Sequence, residues 1–114
     1  MKTILKIYRD LRFREPGIMA AKKSFQQDAE YFQNKYGLDE ATANGRDMTI
    51  KVPGYIIYYM SNINEFPEKI QGFRADYIEI MNDCLDEDIL NSVIYPMVYG
   101  GSELIFIPED DYEG

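Results

Sequence analysis

The 114-residue chain contains no histidine and no tryptophan, and its only cysteine is Cys84. Without histidine the commonest general base is missing, and so are the imidazole-dependent serine and cysteine triads and every histidine-ligated metal site. One cysteine cannot close an intramolecular disulfide, and a chain so poor in thiols fits a reducing compartment. No stretch approaches the ~20 consecutive apolar residues of a membrane-spanning helix. The first residues alternate charged and apolar side chains instead of offering a secretory apolar region. These absences predict a cytoplasmic protein that does not associate with membranes. No phosphate-cradling glycine motif occurs either, because Gly100-Gly101 stands alone between Tyr99 and Ser102 and reads as a turn.

A further shortage is local. The chain carries 12 basic and 20 acidic residues, a net charge of -8, yet no basic residue follows Arg74. From Ala75 onward the charges are all carboxylates: Asp76, Glu79, Asp83, Asp86, Glu87, Asp88, Glu103, Glu109, Asp110, Asp111 and Glu113. Seven of the basic residues (Lys2, Lys6, Arg9, Arg12, Arg14, Lys22 and Lys23) precede residue 28. So polarised a chain repels nucleic acid and anionic lipid and attracts basic partners. The N-terminal cations read as an internal counter-charge or as a self-association face.

The composition is globular, with 46% hydrophobic and 28% charged residues. At this length one core buries roughly two thirds of the surface of the unfolded chain. Residues 1–108 are predicted to form a single domain. Residues 109–114 are too acidic and too poor in apolar groups to fold alone, and are expected to form a mobile acidic tail.

The organising stretch is DMTIKVPGYIIYYM, Asp47 to Met60. Its short β-branched and aromatic run from Tyr55 to Met60 suits a strand covered on both faces. Residues 3–11 alternate imperfectly and predict another strand. Ile18, Ala21, Phe25, Ala29, Phe32 and Tyr36 recur at three and four, the signature of a helix closed by Gly37, with Pro16 placed to open it. Thr49–Val52 reads as a short strand before Pro53-Gly54. A second long helix is expected to run from about Pro67 to Leu85, since Ile70, Phe73, Tyr77, Ile80 and Cys84 are also spaced three and four. Asp86 would cap a shorter third helix that Pro96 ends or kinks, and ELIFI, residues 103–107, would form a strand stopped by Pro108. The predicted class is therefore α+β: a three- to four-stranded sheet covered by two long helices and one short helix, in the order β-α-β-α-α-β. Its expected core comprises Leu5, Ile7, Phe25, Phe32, Ile57, Tyr59, Phe73, Tyr77, Ile80, Val93 and Ile105.

Chemistry is harder to locate. Two carboxylates at the correct separation can hydrolyse a glycosidic bond, but nothing selects a pair from twenty acids. The run Asp83, Asp86, Glu87, Asp88 lacks the central glycine and terminal glutamate of an EF-hand loop, and suits the N-terminus of a helix. Cys84, on an apolar helix face, reads as an inert core thiol. No catalytic residue, cofactor or metal is predicted.

The predicted second helix would also carry Glu68, Asp76, Glu79, Asp83 and Glu87 as one stripe, with neighbours about 5 to 6 Å apart. That interval is close to the ~6 to 7 Å between successive phosphates of a nucleic-acid strand. A solvated helix face is the plainer reading. The sharper reading is a non-enzymatic acidic protein that occupies the basic nucleic-acid-binding surface of a partner, by analogy of size and charge with phage anti-defence, anti-CRISPR and immunity proteins. The expected contact residues are Glu68, Asp76, Glu79, Asp83 and Glu87, with Asp110, Asp111 and Tyr112 from the tail. Direct nucleic-acid binding is not expected. The alternative is a structural subunit that forms homo-oligomers by setting its basic N-terminal face against the acidic C-terminal face of another copy.

Overall fold

A computed structural model of the chain describes residues 1–8 and 20–108. The expected mobile tail, including Asp110, Asp111 and Tyr112, lies outside the described residues, as do Arg9, Arg12, Arg14 and Pro16.

Six strands form one mixed sheet: β1 (Lys2–Ile7), β2 (Thr42–Asn44), β3 (Thr49–Val52), β4 (Tyr55–Met60), β5 (Tyr77–Met81) and β6 (Glu103–Ile107), in spatial order β2-β3-β4-β1-β5-β6. β1 pairs in parallel with both β4 and β5, and β5 with β6. β2 and β3 extend the sheet beyond β4 by antiparallel pairing. The expected three- to four-stranded sheet is thus corrected to six strands. β4 does take the inner position that its apolar run requires, between β3 and β1. The β3–β4 turn is Pro53-Gly54, where Gly54 adopts φ +85°, the left-handed value that the third position of a type II turn demands.

Helix α1 (Ala20–Tyr36) lies over β2, β3 and β4. Its Ala20, Ala21 and Phe25 pack with Ile50, Val52, Ile57 and Tyr59 on one face of the sheet. Gly37 follows at φ +89°, and its N–H donates to the Gln33 carbonyl at 2.9 Å, closing the last turn as its position in the sequence predicts. On the opposite face, Leu5 and Ile7 of β1 and Ile78 and Ile80 of β5 meet Ile63, Ile70, Leu90, Val93 and Ile94.

The second long helix does not exist. In its place stand a 3-10 turn (Pro67–Lys69), a loop in which Gly72 adopts φ +76°, and β5. Helical spacing would have buried Ile80 but turned Ile78 some 200° away, since each residue advances about 100°. In a strand both point the same way. Ile78 and Ile80 are each 0% exposed, and burying an isoleucine side chain contributes about 1.5 to 3 kcal/mol, more than any helix propensity at stake.

The third helix begins where Asp86 predicts, as α2 (Glu87–Ile89), widens through a π turn (Leu90–Ile94), and continues as α3 (Tyr95–Tyr99). Pro96 therefore neither ends nor visibly breaks it. The proline ring would clash with the carbonyl four residues earlier, that of Ser92, and Ser92 lies in the wider turn, where the α-helical pattern is already interrupted. Of the expected core, Ile105 is the clear exception, 39% exposed on edge strand β6. Phe32, Phe73 and Tyr77 are only partly buried. Ile50, Ile63, Ile78 and Ile94 fill the interior in their stead.

Candidate interaction surface

With the second helix gone, the five acids expected on its stripe occupy unrelated positions. Glu68 is exposed in the 3-10 turn, Asp76 precedes β5, Glu79 lies within β5, Asp83 lies in the turn after it, and Glu87 opens α2. Two of the five serve internal contacts. The Asp76 carboxylate accepts the Thr3 N–H at 2.7 Å, helping to register β1 against the chain entering β5. Glu79 Oε1 lies 3.9 Å from Lys6 Nζ. The phosphate-like interval therefore has no structural basis, because it required a helix.

The acids that do sit together are Asp83, Asp86, Glu87 and Asp88, all exposed, in the turn that leaves β5 and the first turn of α2. This turn is tightly shaped. Asn82 and Asp83 both adopt the left-handed conformation, with φ +54° and +48°, and the Asn82 N–H donates to the Ile107 carbonyl at 2.7 Å. Asn64 ties it to the loop after β4: its amide nitrogen donates to the Cys84 carbonyl at 3.0 Å and its amide oxygen accepts the Asp86 N–H at 2.7 Å. The Asp86 side chain makes no capping bond to α2. Its charge faces water at a helix N-terminus, where a carboxylate is favoured. Among the described residues, no group of three or more Cys, Asp and Glu is arranged to hold a metal ion. Cys84 is half-buried, and its thiol lies 3.6 Å from the Ile7 carbonyl.

A second polar cluster, beside α1, was not readable from spacing because its members come from four separate elements. The Tyr59 hydroxyl donates to Asp28 Oδ2 at 2.6 Å, and Lys6 Nζ approaches the same oxygen at 3.4 Å. Lys6 lies between Asp28 and Glu79 and 5.6 Å from the Tyr59 ring centroid. Burial raises the Tyr59 phenol above its ordinary value, and the hydrogen bond to the Asp28 carboxylate raises it further. Tyr59 consequently remains a neutral donor across the biological pH range, which suits a structural clamp and not a tyrosinate nucleophile or base. The cluster also uses Lys6, a member of the basic N-terminal patch, as an internal counter-charge.

The remaining exposed apolar surface includes the outer edge of the sheet, where Ile105 and Phe106 of β6 are 39% and 46% exposed. An open hollow of about 420 Å³ adjoins the start of β6, lined by Phe73, Arg74, Asp76, Met97, Gly101 and Ser102 among others. Among the described residues, no helix is long and apolar enough to cross a membrane. Comparison of the chain with protein-family models, with characterised proteins and with solved structures returns no match.

Proposed function

We propose that the chain is a small, cytoplasmic, non-enzymatic binding protein that docks on a basic surface of a partner protein and thereby inhibits it. The observation that supports this reading is the charge segregation. No cation follows Arg74, while Asp83, Asp86, Glu87 and Asp88 are exposed together on one turn and one helix start. Such a surface accelerates encounter with a cationic partner and repels nucleic acid and anionic lipid. Nucleic-acid-binding grooves are the most strongly basic surfaces available to it, so a nucleic-acid enzyme is the leading partner class. Tyr59 held as a neutral phenol, and a sequence without histidine, both favour binding over catalysis. Self-assembly through the basic N-terminal face is the weaker reading, since Lys6 is already engaged by Asp28 and Glu79 and Lys2 Nζ lies 5.6 Å from the Tyr77 ring centroid.

The test compares wild type with a quadruple variant, Asp83→Asn, Asp86→Asn, Glu87→Gln and Asp88→Asn, as immobilised baits for lysate of the source cell. Wild type should retain basic proteins that elute with salt and are displaced by mixed-sequence DNA. The variant should remain folded, because exposed charges contribute about 0 to 1 kcal/mol to stability, yet lose them. Identical retention by both baits would overturn the reading.

A further inference from the structure

The two ends of the sheet are built differently. β2 is three residues long with the polar sequence Thr-Ala-Asn, a form that discourages further pairing. β6 is five residues, Glu-Leu-Ile-Phe-Ile, with four apolar side chains in succession, and among the described residues it pairs only with β5. Natural sheet edges are usually blunted by lysine, proline, a bulge or a covering element. Within Glu103–Ile107 there is no proline or lysine, and its five residues pair one-to-one with Tyr77–Met81, without a bulge. Ile105 on one face and Phe106 on the other leave large apolar area in water.

The direction of the unused main-chain groups follows from the bonds that β6 makes. The Glu103 N–H donates to the Asp76 carbonyl at 2.9 Å, and the Ile107 carbonyl accepts the Asn82 N–H at 2.7 Å. Strand groups alternate in direction, so Glu103, Ile105 and Ile107 point their polar groups toward β5, while Leu104 and Phe106 point theirs outward. An added strand would find two donors and two acceptors here, flanked by exposed apolar side chains.

Charge selects the occupant. Glu103 begins the strand, Asp76 stands beside its start, and Asp83 follows Asn82, which bonds the strand's last carbonyl. A second copy offering its own β6 in antiparallel register would bring Glu103 toward the end of its partner's strand, where Asn82 bonds Ile107 and the exposed Asp83 follows, a repulsive arrangement. An extended segment with apolar residues flanked by lysine or arginine meets no such penalty.

We infer that β6 is a docking edge that accepts an extended, apolar segment flanked by basic residues from a partner protein, as an added strand. The inference rests on the basic-partner reading above and specifies how that partner is held.

The experiment measures fluorescence anisotropy of the full chain with three labelled peptides. The first alternates valine and threonine and is flanked by lysines. The second replaces those lysines with glutamates. The third keeps the lysines but carries N-methylated amides that cannot pair. The first should bind, with slowed hydrogen exchange at Leu104 and Phe106, and both controls should bind at least about tenfold more weakly. Phe106→Pro removes an outward N–H without touching the β5 ladder, which an edge strand tolerates, and should weaken the first peptide to the same degree. Phe106→Lys is the substitute should the proline variant fail to fold.

Equal binding of the first and third peptides would overturn strand addition while leaving the basic-partner reading intact. Equal binding of the first and second would overturn the basic specificity and, with it, that reading. No binding of the first peptide at millimolar concentration would overturn the edge as a docking site. Sedimentation showing a dimer that Phe106→Pro dissociates would assign the edge to a second copy and overturn the proposal.

Discussion

Replacing Tyr59 with phenylalanine tests the polar clamp between sheet and helix, and its outcome can be worked out in both size and pH dependence. The substitution removes one hydrogen bond, 2.6 Å long, from a residue 3% exposed to a charged carboxylate. Hydrogen bonds to charged groups contribute about 1.5 to 3 kcal/mol. The lower part of that range applies, because Asp28 keeps Lys6 at 3.4 Å and its side chain is 32% exposed, so water can replace the lost donor. A loss of about 2 kcal/mol corresponds to a fall in Tm of about 8 °C, at roughly 4 °C per kcal/mol for a domain of this length. The phenol's folded pKa is raised above the unfolded value near 10. Its stabilising contribution is therefore fully present below about pH 10 and is lost as pH rises further, because only the unfolded state then releases the proton. At pH 11 that release favours unfolding by about 1.4 kcal/mol, shrinking the gap between wild type and Tyr59→Phe to well under 1 kcal/mol. Urea unfolding followed by circular dichroism at pH 7, 9, 10 and 11 would measure the gap directly. A gap below about 0.5 kcal/mol at pH 7, or one that stays constant to pH 11, would refute the clamp.

Phe25→Ala should cost about 3 to 4 kcal/mol, since Phe25 is 7% exposed and packs edge-on against Tyr59 at 5.6 Å. Phe73→Ala, at a partly exposed residue edge-on to Tyr58 at 4.9 Å, should cost about half as much, and equal losses in thermal unfolding would contradict the two burial environments. Cys84 should react slowly with an aromatic disulfide reagent in the folded protein and completely in denaturant, because the half-buried thiol packs against the core cluster, 3.6 Å from the Ile7 carbonyl. Stoichiometric reaction of the folded chain within the mixing time would place it elsewhere.

Local chemistry made much of the fold readable. The α1 face, Gly37, the Pro53-Gly54 turn, the Tyr55–Met60 run and ELIFI each follow rules that act over a few residues, and each appears where those rules put it. β2 escaped because its three residues carry no alternation and are held by backbone pairing to Thr49–Lys51. The misread stretch from Pro67 to Leu85 shows why periodicity alone can mislead. Ile70, Phe73, Tyr77, Ile80 and Cys84 fit a helix, but the template ignored Ile78, the one residue in the stretch that only a strand can bury together with Ile80. Partner strands could not be inferred from spacing either. Lys6 is in register with both Tyr59 and Glu79, residues far apart in sequence that only the parallel order β4-β1-β5 brings to its sides.

The same order explains what became of the acidic pattern. A helix would have exposed Glu68, Asp76, Glu79, Asp83 and Glu87 alike, whereas insertion of β5 beside β1 turns Glu79 onto the α1 side of the sheet, against Lys6, and sets Asp76 against the Thr3 amide. Glu79, half-buried in the sheet, has Lys6 as an internal partner, because a half-buried charge without one is costly. Carboxylates left without such a demand, Asp83, Asp86, Glu87 and Asp88, gather where β5 ends and α2 begins, in a turn whose left-handed residues and helix N-terminus tolerate short acidic side chains. Part of the acidity is thus accounted for by the architecture, and part of the surplus that faces water lies on the turn that Asn82 binds to the end of β6 through the Ile107 carbonyl. On the proposed reading, a basic partner drawn toward that turn by long-range attraction would arrive beside the apolar edge strand β6. Attraction and strand pairing would then act in sequence, the first setting the on-rate and the second the off-rate, so salt should slow association with the lysine-flanked peptide, whereas Phe106→Pro should mainly shorten the life of the complex.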